Sequence, residues 1–565
     1  MLATNRLRHW LLATALAVLP PAGAALAQSA APAPAGQEPA SQVKVEVSID
    51  RMAEHIRTLA SDEFEGRKPG TPGEEKTVAY LVEQFKALGL QPAVNGSYIQ
   101  DVPLVEITVK DPGRLTVQGR DASKSYEYFT QTMIWTRRLD QAPALDNSEV
   151  VFVGHGVVAP EHGWNDYAGV DVRGKTVLVL VNDPGFNTGD PKLFSGPAMT
   201  WYGRWPYKYA EAARQGAAGV LIVHEARAAG YPWAITANSN KVPRLHIEPE
   251  NAGKGLAAIE GWVQQDVARE MFAMAGQDFE DLKLKASQPG FKAVPLDLKL
   301  SVAMKTEFRR LKSRNVVGVV PGASRAEEVV LYSAHWDHLG RGNPVNGDDI
   351  YNGAVDNAVA VAGMLEVARA YGSAAKKPER SVAFIAFTAE EQGLIGSEYY
   401  GRNPVYPAAN TVANLNLEML GTFGPMRDIT VIGAGKSELE DYVARWAAAN
   451  GKVVKPEAFP ERGLYYRSDH FSLARVGIPA MWATLGTDSL KHGPEWGKAQ
   501  QDAYTRLRYH TPADEFTGEI DLTGAAEEVQ MQLDIGRLLA DGTDWPDWYE
   551  GAEFRALRET SRAGR

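Results

Sequence analysis

The chain contains no cysteine among its 565 residues. That absence excludes disulfides, a lipid-modified cysteine and any thiolate metal ligand. Stability must then come from buried cores, and a chain of this length is expected to form two or three domains. Basic residues are also in short supply. With 59 Lys and Arg against 70 Asp and Glu, the net charge is −11. Nucleic acid is therefore excluded as a partner, since phosphate binding needs clustered cations. The apolar run Trp10 to Leu19 is about ten residues, too short to cross a hydrocarbon core of roughly 30 Å, so no membrane anchor is expected. Arg6, Arg8 and His9 precede that run, and Ala25-Leu26-Ala27 follows it as a small-x-small cleavage site. Residues 1–27 read as a cleaved signal peptide, which places the protein in the periplasm or outside the cell. Residues 28–42, rich in Ala, Pro and Ser, read as a disordered leader.

Helical periodicity starts near Ile49, with Met52, Ile56 and Leu59 on one face, and returns from Glu74 to Leu88. The character changes near Asp146. Short buried-type strands follow at 149–154, 175–181 and 218–223, and the β-rich stretch 146–299 reads as an insert. The helices before it have no sheet to cover, and the sheet after Asn315 needs helical cover. Residues 43–145 and 300–565 are therefore expected to form one domain. After Asn315 strands and helices alternate: strands near 315–320, 329–334, 381–387, 411–417, 428–433 and 478–484, with helices near 357–371, 394–401, 437–449 and 523–540. This predicts an α/β fold with a mixed, largely parallel central sheet flanked by helices.

Acids and histidines stand at the ends of these strands. Ala334-His335-Trp336-Asp337-His338 follows one apolar run, Thr388-Ala389-Glu390-Glu391-Gln392-Gly393 follows another, and Asn416-Leu417-Glu418-Met419 ends a third. Gly353-Ala354-Val355-Asp356-Asn357 opens a helix, and Tyr509-His510-Thr511-Pro512 lies downstream. In open α/β sheets, sites form outside the carboxyl ends of the strands. Without thiols the available ligands are His, Asp and Glu, a set that suits zinc. Two such ions about 3.5–4 Å apart can share a bridging carboxylate and a water. The neighbours Glu390 and Glu391 suit a division of labour in which one carboxylate binds metal and the other takes a proton.

These five pieces resemble the co-catalytic zinc peptidases of family M28, which include bacterial aminopeptidases and the glutamate carboxypeptidase group. Leu59-Ala60-Ser61-Asp62-Glu63-Phe64-Glu65-Gly66-Arg67 resembles the N-terminal segment of that family, and 146–299 resembles the protease-associated domain that many members carry as an insert. The resemblance implies a zinc aminopeptidase/phosphorylase-hydrolase-like fold and two zinc ions per chain. It implies that His335 and Glu418 hold one zinc, that Glu391 and His510 hold the other, and that Asp356 bridges both. It implies Glu390 as general base, Asp337 as orienter of His335, Tyr509 as donor to the oxyanion, and a cis peptide bond after Asp356. The expected activity is release of N-terminal residues from peptides. The alternatives are a carboxypeptidase or dipeptidase of the glutamate carboxypeptidase type, for which Arg427, Arg462 and Arg467 are candidate carboxylate binders, and a non-catalytic receptor-like binding protein. A glutaminyl cyclase shares the fold but works with one zinc.

Two features depart from the family pattern. Many relatives have Asp where Glu418 stands, and the loop Gly340 to Asn352, with Asp348 and Asp349, is longer than in the minimal aminopeptidases; it is expected to be solvated. His338 matches no ligand position and is expected at the site edge. His470 is expected as pocket wall or as a structural hydrogen-bonding group, and Asp488 and His492 as loop residues. Trp201, Tyr202, Trp205, Tyr207 and Tyr209 are expected to pack within the insert. Glu63 and the Gly66 to Gly73 loop are candidates to border the substrate amine.

Overall fold

The computed structural model describes residues 46–239 and 242–563. The signal peptide expected over 1–27 and the leader over 28–42 lie outside the described residues. Four parallel strands form the centre of a ten-stranded sheet: β1 (Arg325–His335), β2 (Arg380–Phe387), β3 (Thr411–Asn416) and β4 (Ala480–Leu485), in the spatial order β2-β1-β3-β4. Every residue of β2 and of β3 is buried. Strands covered on both faces need continuous apolar runs rather than alternation, which is why Val382 to Phe387 reads as it does.

One face is covered by α1 (Ile49–Leu59), α2 (Pro72–Ala87), α3 (Val359–Gly372) and α4 (Leu522–Asp541). Met52, Ile56, Leu81, Phe85, Leu365 and Val529 share one core with Val330 and Phe384. Residues 49–87 thus pack on central strands that begin more than two hundred residues later. On the opposite face Tyr400, Phe471 and Leu473 pack against Leu331 and Ile385.

The sheet is parallel at its centre and again at one edge, where Asp428–Val431 pairs with Val453–Lys455, and antiparallel elsewhere. Lys305–Val320 runs antiparallel to both β2 and Ile99–Asp111, and Asp428–Val431 runs antiparallel to β4. The expectation of a largely parallel sheet is corrected accordingly. The antiparallel flank consists of the outgoing and returning arms of a long excursion, which need no crossover helix.

That excursion builds a second, eight-stranded sheet, and its limits differ from 146–299. Leu115–Gln118, Ser123–Tyr126 and Thr132–Trp135, expected with the first sheet, pair into the second. Leu115, Val117, Tyr126 and Ile134 are buried in the core of that sheet, which holds them there. The chain leaves the first sheet at Asp111 and rejoins it at Lys305. Arg244–Ile247, in turn, crosses back to pair with Ile99–Asp111 at the edge of the first sheet. Two local differences bear on the site. Gly340–Val345 and Asp348–Tyr351 form a hairpin instead of an irregular loop. A helix over Pro494–Leu507, whose only buried residues are Gly497 and Tyr504, carries too little apolar periodicity to be read from sequence. No described helix is long and apolar enough to cross a membrane.

Candidate metal centre

The centre forms where β1 and its two neighbours end. His335 closes β1 and pairs with Phe387, the last residue of β2, while Ser333 pairs with Asn416, the last residue of β3. Glu390 and Glu391 therefore leave β2 beside His335 on one side, and Glu418 leaves β3 on the other. Asp356 sits in the π turn Ala354–Ala358 that opens α3, and the Asp356–Asn357 bond is cis, as the resemblance implied. His335 Nε2 lies 3.2 Å from Glu418 Oε1 and 3.4 Å from Asp356 Oδ1. His510 Nε2 lies 3.2 Å from Asp356 Oδ2 and 3.1 Å from Glu391 Oε2. Asp356 thus presents one oxygen to each histidine.

Surrounding groups hold these side chains. Asp337 Oδ1 accepts the Glu390 amide at 3.0 Å and Oδ2 the Glu391 amide at 3.4 Å, while His335 Nδ1 reaches the Asp337 carbonyl at 3.1 Å and its carboxylate at 3.7 Å. Asp337 consequently positions both glutamates as well as the imidazole. Ser468 donates to Glu418 Oε2 at 2.7 Å. Tyr509 stacks on His510 with ring centres 3.8 Å apart.

Sequence reasoning missed three residues. Asp514 accepts the Val355 and Asp356 amides at 3.1 Å each and so fixes the turn that carries the shared carboxylate. Arg67, fully buried, donates to the carbonyls of Leu59, Trp336, Asn352 and Gly353. His338, expected at the edge, is completely buried, and its Nδ1 lies 2.6 Å from Glu391 Oε1. Gly353 makes room for it: a Cβ there would stand 2.5 Å from His338 Cγ and 2.2 Å from the Asp356 carbonyl, at φ +60°. The second histidine of His335-Trp336-Asp337-His338 was the available signal.

The electrostatics favour a cation. Burial opposes protonation of His510, yet Glu391 and Asp356 outweigh it and raise the imidazole to about 10. Burial likewise opposes ionisation of Glu391, but His510 and His338 bring it down to about 2. Glu390 is pushed well above the usual range by burial, with Glu418, Glu391 and Asp469 adding to it against His335. Asp337 is raised to about 8 by burial, with Glu391 adding to it against His335. Two donor groups are suited to a metal ion: His335, Asp356 and Glu418, and His338, Asp356 and Glu391. His338 Nδ1 and Glu391 Oε1 face each other at 2.6 Å with no other partner among the described residues, and His338 Nε2 is buried with none. Nitrogen and oxygen donors of this kind fit zinc.

The other candidates fall outside the cluster. Arg427 is tied to Asp488 and to the carbonyls of Ser489 and Leu490. His492 lies against Trp496. His470 is buried between Tyr465 and Trp482, and no hydrogen bond reaches its ring nitrogens. Asp349 pairs with Arg341 within the hairpin. Tyr202 and Trp201 pack on Tyr207, and Trp205 on Tyr209, but Trp201 also meets Phe471 with centres 4.7 Å apart, so the aromatic group joins the two sheets. The Gly66 turn packs on the hairpin, where a Cβ would meet the Tyr351 carbonyl at 2.4 Å.

Comparison with known proteins follows the same residues. Residues 315–534 match the model of peptidase family M28. Leupeptin-inactivating enzyme 1 of Streptomyces exfoliatus is 28% identical over 207 residues, 36% of this chain and 43% of that protein. A probable zinc metalloprotease of Pyrenophora teres f. teres (strain 0-1) is 35% identical over 106 residues, 19% of this chain and 22% of that protein. The chain thus spans less than half the length of these curated relatives. Among solved structures, an aminopeptidase from Aneurinibacillus sp. strain AM-1 is similar with a TM-score of 0.49 at 20% identity, over 88% of this chain and 95% of that one. Residues 315–534, the segment that matches peptidase family M28, carry His335, Asp356, Glu390, Glu391, Glu418 and His510.

Proposed function

We propose that the protein is an exported, two-zinc aminopeptidase that releases N-terminal residues from peptides. The observation that carries this reading is the pair of donor groups sharing Asp356, with Glu390 beside them and in no ion pair among the described residues. His335 and Glu418 would hold one zinc, Glu391 and His510 the other, and Asp356 both; His338 stands against the second group. Bound there, the ions would acidify a water molecule and polarise a peptide carbonyl. Glu390, its backbone held by Asp337, takes the proton of the attacking water and delivers it to the leaving amine. Tyr509 donates to the oxyanion from its place on His510. Export rests on the basic start, apolar run and Ala25-Leu26-Ala27 of the N-terminus. The second sheet stands where a protease-associated domain is expected and is assigned no chemistry of its own.

The test is mass spectrometry of products from a mixed peptide set, free and N-acetylated, incubated with zinc-loaded protein. Loss of single residues from free N-termini, abolished by acetylation, is the expected result. Trimming from the carboxyl end would replace the aminopeptidase reading with a carboxypeptidase. No cleavage by protein shown to hold zinc would overturn the peptidase reading.

A further inference from the structure

A short segment of the second sheet's excursion ties that sheet to the first near the metal centre. Met199, Thr200 and Trp201 are anchored on the excursion by the buried Asp183, whose Oδ2 accepts the Thr200 amide at 2.9 Å and its hydroxyl at 2.8 Å. Their other contacts belong to the first sheet's side. The Met199 amide donates to the Pro460 carbonyl at 3.2 Å. Gly463 lets Met199 approach, since a Cβ there would stand 2.9 Å from Met199 Sδ, at φ +59°. The Trp201 amide donates to Glu553 Oε1 at 3.2 Å, and the indole packs on Phe471 with ring centres 4.7 Å apart. Glu553 stands just before the helix Arg555–Arg562. Trp201 and Glu553 both lie outside the segment that matches family M28.

Glu553 joins this segment to the residues that hold Glu418. Its side chain, 10% exposed, accepts the Tyr466 hydroxyl at 2.9 Å on Oε1 and 3.2 Å on Oε2, and Lys436 Nζ lies 3.3 Å from Oε2. Lys436 also donates to the Tyr466 oxygen at 3.0 Å, so Lys436, Tyr466 and Glu553 form one directed set of hydrogen bonds. Tyr466 is buried in the short helix Leu464–Arg467, which begins directly after Gly463, and its ring meets Phe471 at 5.2 Å. Arg467, which ends that helix, lies over Tyr231 of the excursion, 5.8 Å from the ring centre. Ser468 comes next. Its hydroxyl donates to Glu418 Oε2 at 2.7 Å and accepts the Asn416 side-chain amide at 2.8 Å. A helix held by Glu553 and by the excursion thus leads straight into the residue that holds a candidate metal ligand.

We propose that Glu553 is a positioning residue for the metal centre. Through Tyr466 it fixes Ser468, and through Ser468 the carboxylate of Glu418, while its bond to Trp201 makes that placement depend on how the second sheet is seated. The two oxygens of Glu418 have separate tasks: Oε1 faces His335 Nε2 at 3.2 Å, and Oε2 takes the Ser468 hydroxyl. Holding a rotamer-rich glutamate in one geometry costs entropy, and a fixed hydroxyl partner supplies the hold. Loss of the Glu553 carboxylate would leave the buried Tyr466 hydroxyl and the Trp201 amide without their acceptor, and the segment Leu464 to Ser468 would shift to find another. The proposal rests on the reading of the centre as a metal site.

The experiment measures zinc affinity by chelator competition and the visible absorption of the cobalt-loaded protein, with urea midpoints as a control on folding. Glu553→Ala should weaken zinc binding by about tenfold and shift the cobalt spectrum in the same direction as Ser468→Ala. Adding Glu553→Ala to Ser468→Ala should cost nothing further, because both act on Glu418 by one route. Tyr466→Phe, which removes only the hydroxyl link, should follow Glu553→Ala. Glu553→Gln, which keeps one acceptor oxygen, should recover part of the loss. Thr200→Val, which loosens the segment from Asp183, should give a smaller loss of the same kind, and full affinity there would overturn the link to the second sheet. Val267→Ala, in the core of the second sheet, is the control: it should lower the urea midpoint and leave metal affinity unchanged. Unchanged affinity and spectrum in Glu553→Ala and Tyr466→Phe, or a loss that adds in full to that of Ser468→Ala, would overturn the proposal. So would a loss that Val267→Ala reproduces at the same drop in midpoint. If Glu553→Ala does not fold, Tyr466→Phe and Glu553→Gln carry the same comparison. Metal binding is read without peptide. A wild type that holds zinc and cleaves nothing overturns the peptidase reading and leaves this comparison decisive, whereas a wild type that binds no metal overturns both.

Discussion

Arg67 and Trp336, 269 positions apart in the chain, meet through a 2.8 Å hydrogen bond from the buried guanidinium to the Trp336 carbonyl. The same side chain donates to Gly353 at 2.8 Å and to Asn352 and Leu59 at 2.6 Å each. One residue from the N-terminal segment thereby holds the segments that present His335 and Asp356. Replacing Arg67 by Met would leave these buried carbonyls without a donor, and each such group costs about 1–3 kcal/mol. A loss of at least about 3 kcal/mol in urea unfolding is expected, with weaker metal retention. A change within about 0.5 kcal/mol would show that water replaces the guanidinium without penalty.

Glu390 has a different kind of importance. Its amide is fixed by Asp337 at 3.0 Å, and its carboxylate is in no ion pair among the described residues. Glu390→Gln should keep the fold and the zinc content while kcat falls by about 10²–10⁴, the range typical of a general base. Metal analysis alongside turnover decides the matter. Undiminished turnover would remove Glu390 from the mechanism, and lost metal would make it a ligand.

His338 should act on the metal. It is buried, and its Nδ1 lies 2.6 Å from Glu391 Oε1. His338→Ala is expected to weaken zinc binding at the Glu391 group by about 10–100-fold, the usual effect of losing a group that orients a ligand. Competition with a chelator measures this directly. Unchanged affinity would reduce His338 to packing.

Glu528 provides a pH test away from the centre. It accepts the Leu485 amide at 2.9 Å, and burial raises its carboxyl from 4.5 to about 7. The folded protein then binds this proton more tightly than the unfolded chain. The group's contribution is complete below 4.5 and is lost as pH rises toward about 7. Urea midpoints at about pH 5 and about pH 8 should differ more in wild type than in Glu528→Gln. An identical pH dependence in both would assign the effect to other groups.

Much of this was legible in the chain because strand ends carry their own signal. The apolar run Val382 to Phe387 announces β2, and Glu390 and Glu391 stand just beyond it. Helix Pro494–Leu507, which brings His510 back to Asp356, was not legible, since it buries only Gly497 and Tyr504. The start of the second sheet was misplaced for a related reason. Leu115–Gln118 and Ser123–Tyr126 form a short hairpin, and the strand that joins Leu115–Gln118 to the sheet, Val294–Ala303, lies far along the chain. Pairing at that separation leaves no local trace.

Sequence by itself determined the donor chemistry: no thiol, a set of histidines and carboxylates at strand ends, and a glutamate pair able to divide two tasks. Tertiary structure alone decided which atoms meet. It brought Asp356 between His335 and His510 and put His338 against Glu391. The physical reason is that ligand identity is a property of single residues. Which donors converge, and which charges stay unpaired, depends on burial and on contacts across hundreds of residues.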